Sequence, residues 1–156
     1  MELAGSQWDN AENPSDVIYA ILSDILAIPS NVHDSIQIRI YEILRKYGYA
    51  ASVEHLLPGY NGDRARSGYI DVVSLDPVRI GIEVDHSVPR NKSIEKLNLF
   101  KGELSVIVLK GATAGGRYKS EETAKRCANF KTQFAVLNLA QKKMVLSGPV
   151  TGKSGA

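Results

Sequence analysis

Residues 68–87, GYIDVVSLDPVRIGIEVDHS, decide how this chain folds. Two runs rich in Ile and Val, GYIDVVSL and VRIGIEVDH, flank Asp76-Pro77. β-Branched residues suit a pleated, half-buried surface, and Asp-Pro favours a turn, so the stretch reads as two strands joined as a hairpin. Each run also carries acid: Asp71 in the first, Glu83 and Asp85 in the second. An ionised carboxylate inside an apolar strand costs several kcal/mol unless a partner offsets it. Glu83 and Asp85 are two residues apart and therefore point to one side of their strand, and hairpin pairing brings Asp71 towards them. Three converging carboxylates suit Mg²⁺, with Mn²⁺ as a substitute, held with several waters so that positions stay open for a phosphate oxygen and an attacking water. Such a cation supplies the nucleophile and the charge stabilisation that phosphodiester hydrolysis needs. The plainer readings are pairing of the acids with Arg79 or Arg39, and a strand-end charge for Asp85.

Upstream, Pro14-Ser15 is a helix entrance, and DVIYAILSDILA follows with apolar residues on most faces, so that helix must be covered. Pro29 ends it. Ser30 or Asn31 caps a second helix over about 31–47, with Val32, Ile36, Ile40, Ile43 and Tyr47 on one stripe and Gly48 closing it. YAASVEHLL (49–57) reads as a first strand, and GYNGDRARSG as a Gly-rich basic loop. Downstream come a helix over 91–101, a continuous apolar strand SVIVLK (105–110), the Gly-rich loop GATAGGRY, and a polar helix near 120–130. The strands QFAVLNLA and KKMVLSG and a frayed tail complete the chain. The order predicts an α/β sandwich with a mixed sheet: the first three strands form a meander, and the fourth requires a helical crossover.

The whole chain of 156 residues is one domain's worth, with 44% hydrophobic and 23% charged residues. A single cysteine, Cys127, excludes an internal disulfide and fits a reducing compartment. The acidic start MELAGSQWDN lacks the pattern of a secretory signal, and VIYAILSDILAI is too short and too interrupted to span a bilayer, so a cytoplasmic protein with no membrane partner is expected. Residues 1–30 carry five acids and no Lys or Arg, a charge of −5, while the remainder holds 19 bases against 12 acids, or +7. A basic body suits a polyanion such as DNA, although solvated surface lysines explain it as well. His33, His55 and His86 give no zinc spacing with one cysteine, and GPVTGKS (148–154) imitates a phosphate loop without the spacing or the following helix, so no nucleotide cofactor is expected.

On these residues the chain resembles the PD-(D/E)XK, or restriction-endonuclease-like, nuclease superfamily, over about residues 31–110. Glu42 in IRIYEILRKYG matches the glutamate of the family's first helix, Asp71 the PD aspartate and Glu83 the acid of E-x-K. The spacings, 29 and 12 residues, are similar to those of compact resolvases and small restriction enzymes. The resemblance implies a restriction-endonuclease-like three-layer sandwich with a central mixed sheet, spanning 31–148 between an acidic extension (1–30) bearing one apolar helix and a flexible tail (149–156). It also implies an Mg²⁺-dependent DNA endonuclease releasing a 5′-phosphate and a 3′-hydroxyl. Ile70 stands where the family has proline, and Asp85 stands in place of the motif lysine. Either Asp85 serves the metal or the attacking water, or a lysine reaches back from the next helix. Lys92 is preferred to Lys96 for that role because it lies nearer in sequence. The expected site is thus Glu42, Asp71, Glu83, Asp85 and Lys92, with Asp71, Glu83 and Asp85 on the metal. Arg64, Arg66, Arg90, Lys96, Arg117 and Lys119 are expected to flank the cleft and hold phosphates. A homodimer built on the apolar first helix would address both strands of a duplex. That acidic segment could instead lie across the cleft. The alternative function is a non-catalytic DNA-binding or assembly subunit that lost the motif lysine.

Overall fold

A computed structural model describes residues 14–29, 35–58, 68–111 and 120–147. Four helices, α1 (Pro14–Leu26), α2 (Ile36–Lys46), α3 (Asn91–Phe100) and α4 (Ser120–Cys127), accompany six strands. The strands are β1 (Ala51–Leu56), β2 (Tyr69–Ser74), β3 (Ile80–Asp85), β4 (Leu104–Leu109), β5 (Phe134–Asn138) and β6 (Lys143–Leu146). They form one mixed sheet in sequence order. β1, β2 and β3 are an antiparallel meander, β4 and β5 run parallel to β3, and β6 turns back on β5. The two parallel joins are those spanned by α3 and α4, because a parallel neighbour needs a connection long enough to return the chain.

β4 shows why the sheet is covered on both sides: all six of its residues are buried. Val106 and Val108 join one apolar cluster with Ile18, Leu22 and Ile25 of α1 and Ile36, Ile40 and Leu44 of α2. Ile107 and Leu109 join the other, with Ile94, Leu97 and Phe100 of α3 and Cys127 of α4. The protein is therefore an α/β fold with helices on both faces of a mixed sheet. Among the described residues no helix is long and apolar enough to cross a membrane. The apolar side of α1, which suggested a second subunit, is taken up inside this core.

Helix ends follow local chemistry. Gly48, at φ +84, ends α2: its N–H donates to Arg45 O (2.9 Å) and that of Tyr49 to Leu44 O (3.0 Å), which satisfies the last carbonyls of the helix. From the turn between β5 and β6, Lys142 Nζ donates to Leu26 O (2.9 Å) and Ile28 O (2.7 Å) beyond α1. Asp24 of α1 accepts from Tyr47 Oη (2.8 Å) and Lys46 Nζ (3.0 Å), tying the two helices together. The turn between β2 and β3 uses Asp76-Pro77 with a cis peptide bond. On the opposite face Gly81 lets α3 close onto the sheet, since a Cβ there would stand 2.8 Å from Leu97 Cδ2 and 3.0 Å from Phe100 Cδ2.

Candidate functional site

Antiparallel pairing runs Val73↔Gly81 and Val72↔Ile82, and one further step places Asp71 opposite Glu83. Residues opposite each other in such a ladder present their side chains to the same face. At this step side chains take over the hydrogen bonds. The Asp71 N–H donates to Glu83 Oε2 (2.9 Å), and the Val84 N–H donates to Asp71 Oδ2 (2.8 Å). The other neighbour of β2 is interrupted at the same place. β1 pairs through Val53↔Val72 and His55↔Ile70, and the intervening Glu54 has a left-handed backbone, φ +49. Two ladders thus break around one aspartate.

Alternation along β3 puts Glu83 and Asp85 on the side of Gly81, under α3. Glu83 is 0% exposed and Asp85 3%. α3 answers with two side chains three residues apart, which share a helix face: Ser93 and Lys96, themselves 0% and 6% exposed. Lys96 Nζ lies 3.1 Å from Glu83 Oε1 and donates to Tyr69 O at 2.7 Å. Ser93 Oγ stands 3.2 Å from Glu83 Oε1 and 2.9 Å from Asp85 Oδ1. Asp85 is further held by Arg90, whose backbone N–H reaches Oδ2 (2.9 Å) and whose Nε reaches Oδ1 (2.8 Å).

Electrostatics follow from burial. Burial and the charge of Asp71 together outweigh the Lys96 ammonium and push the Glu83 carboxyl from 4.5 up to about 7. Burial likewise raises Asp71, against the Val84 N–H and the Lys96 charge. Two acids held above their ordinary range beside a buried ammonium keep their protons to higher pH than free carboxylates do.

The structure brings Asp71, Glu83, Asp85, Arg90 and Lys96 together. Lys92 is exposed on α3, one residue out of phase with Ser93, so Lys96 and not Lys92 reaches the carboxylates. Glu42 is exposed on α2, the helix over the other face, in a shallow depression with Ile28, Arg39, Ile43 and Lys46. Lys46, four residues on along α2, pairs with Asp24. Arg79 lies over the Phe100 ring and donates to Phe100 O, so it neutralises none of the three acids. Arg64, Arg66, Arg117 and Lys119 lie outside the described residues, as do Val32, His33 and both candidate caps of α2. Sequence reasoning missed Ser93. The apolar triplet Ile94, Leu97 and Phe100 carried the signal, because it sets the phase of α3 and turns Ser93 and Lys96 inward.

As a cation site, the donor set is two opposed carboxylates, one fully buried and one partly exposed. Among the described residues no group of three His, Cys, Asp or Glu side chains is placed to hold a metal ion. Asp85 is occupied by Arg90 and Ser93. Glu83 accepts from Ser93, Lys96 and the Asp71 N–H, so a cation here would rest on Asp71, share Glu83 with those donors and keep most of its waters, which is how Mg²⁺ is ordinarily held. The chain matches no family model, no curated protein and no solved structure.

Proposed function

We propose that this protein is a metal-dependent DNA endonuclease of restriction-endonuclease-like fold, acting through Asp71, Glu83 and Lys96. One observation carries the reading: a buried ammonium delivered by a helix lies 3.1 Å from a strand glutamate that sits opposite a strand aspartate. That is the trio the family resemblance requires, with the lysine supplied from α3. The order of α2, β1, β2, β3, α3 and β4 supports it, as does the parallel return of β4 beside β3. Asp71 and Glu83 fit a Mg²⁺ ion, which when bound polarises the scissile phosphate and lowers the pKa of a water. Glu83 orients the Lys96 ammonium, and Lys96 stabilises negative charge developing on the attacked phosphate. Asp85 anchors Arg90 rather than holding the cation.

A second reading has one observation of its own: Glu83 and Asp85 already have hydrogen-bond partners on both oxygens. A cluster so satisfied would suit a non-catalytic subunit that binds DNA or assembles with other proteins. Supercoiled plasmid and branched DNA incubated with Mg²⁺ separate the two. The nuclease reading expects cutting by the wild type and a loss of about a hundredfold or more in Asp71→Ala and Glu83→Ala, both still folded. Undiminished cutting by either variant, or none by the wild type together with no Mg²⁺ heat of binding, would overturn it.

A further inference from the structure

Both oxygens of Asp85 accept from Arg90, and Oδ1 accepts from Ser93 as well. One takes the Arg90 backbone N–H, which by itself closes the turn into α3; the other takes Arg90 Nε, which orients the guanidinium. The carboxylate is buried, yet the arginine it holds is 55% exposed. Gripping a guanidinium through Nε turns the Nε–Nη2 edge toward the carboxylate cluster and directs the other terminal group, Nη1, away from the grip. Nη2 lies 4.0 Å from Glu83 Oε1 and 3.4 Å from Ser93 Oγ, so the guanidinium sits at the rim of the carboxylate cluster. Arg90 also begins α3, whose first turn has no side-chain cap, so the helix end adds positive potential of the same sense.

We infer that Arg90, oriented by Asp85, is the phosphate-holding arm of this site, and that it takes a singly charged phosphodiester together with one divalent cation. The inference rests on the cation reading of Asp71 and Glu83. With all three carboxylates ionised against two cationic side chains, one negative charge is left; one divalent cation turns this to one positive charge, which a phosphodiester neutralises. A cation on Glu83 and the guanidinium beside it repel each other unless an anion lies between them. Cation and phosphodiester therefore reinforce one another's binding, and reciprocally so. Arg90 contacts the substrate; Asp85 is a positioning residue, acting through Arg90.

The experiment is fluorescence anisotropy of a labelled DNA duplex with Ca²⁺ in place of Mg²⁺, over a range of salt, so that affinity is read without cleavage. Arg90→Ala should weaken binding by about tenfold, the loss of one charge-assisted contact, and lower the salt slope by about one. Arg90→Lys should weaken it comparably, because a lysine keeps the charge but cannot be held through Nε. Lys101→Gln, which removes a charge at the far end of α3, should change affinity by less than about twofold. Asp85→Asn covers the case in which Arg90→Ala fails to fold: it retains the guanidinium, loosens its orientation and should weaken binding several-fold. The inference is overturned if Arg90→Ala binds as well as Lys101→Gln, if Arg90→Lys or Asp85→Asn matches the wild type, or if the wild type binds no DNA. Cutting that depends on Asp71 while Arg90 variants bind normally removes the arm and leaves the nuclease. Arg90-dependent binding without any cutting does the reverse.

Discussion

Raising the pH should destabilise the cation-free protein, and the amount follows from Glu83. Its carboxyl titrates at about 7 in the folded protein against an ordinary 4.5, because it is buried and faces Asp71. Between those values the folded protein keeps a proton that the unfolded chain has released. The folded state thus binds more protons, and stability falls as pH rises; the contribution is complete below 4.5 and lost as pH passes through about 7. At 1.36 kcal/mol per pKa unit it is on the order of 3 kcal/mol. In a chain of this size that corresponds to roughly 6–12 °C in melting temperature. Thermal unfolding in a chelator, from acid to well above neutrality, measures it in the wild type and in Glu83→Gln, which keeps the shape and removes the titration. Asp24 works in the opposite direction: against its burial, hydrogen bonds from Tyr47 and Lys46 hold it low, so its contribution is lost only in acid. That term is common to both proteins and cancels in the difference. Millimolar Mg²⁺ should then raise the melting temperature of the wild type above neutrality and leave Glu83→Gln where it was. Parallel pH curves for the two proteins, with or without cation, would refute the reasoning.

Lys96→Met leaves Glu83 buried without its ammonium. Urea unfolding above neutrality should show a loss of about 3–5 kcal/mol, and in acid, where Glu83 carries its own proton, a much smaller one; equal losses would mean the pair is not what Lys96 provides. Gly81→Val drives a side chain into Leu97 and Phe100, lifting α3 away from the sheet. Its expected cost is about 1–3 kcal/mol together with loss of cleavage, and a variant as stable and active as the wild type would show that this close approach is dispensable.

The Ile and Val runs around Asp76-Pro77 were sufficient to read β2 and β3, because alternation and turn chemistry are local. Gly48 marked the end of α2 for the same reason, supplying the left-handed conformation that the closing turn needs. The long apolar run at 105–110 identified a strand covered on both faces, and β4 is one. What stayed hidden was rotational phase and handed-over partnership. Nearness in sequence favoured Lys92, but a helix turns about 100° per residue, and the buried side of α3 is set by Ile94, Leu97 and Phe100. Asp85 and Glu83 look alike in the string IGIEVD. Only the turn at 86–90 gives Asp85 to an arginine five residues on, while Glu83 receives a lysine thirteen residues on. Glu42 matched by spacing along the chain, yet α2 packs on the other face from α3, a separation that no spacing encodes.

Two costs coincide at Asp71, and stability accounts for neither. Glu83, Asp85 and Lys96, buried beside a partly exposed Asp71 and an exposed Arg90, are often no better for folding than apolar residues of the same volume, since desolvation of each buried ion consumes much of the mutual attraction. Directly across β1, Glu54 holds a left-handed backbone that a non-glycine residue adopts only at a cost of about 1 kcal/mol. Apolar residues at 71, 83, 85 and 96 would extend the cluster already formed by Val73, Ile94, Leu97 and Ile107 and let the β2–β3 ladder run on. The chain instead interrupts both ladders of β2 at one residue and surrounds that residue with ionised groups. Strain and buried charge converging on a single strand position are what a reaction site requires and what a folding core avoids, so the chemistry proposed for Asp71, Glu83 and Lys96 explains a departure that packing leaves unexplained.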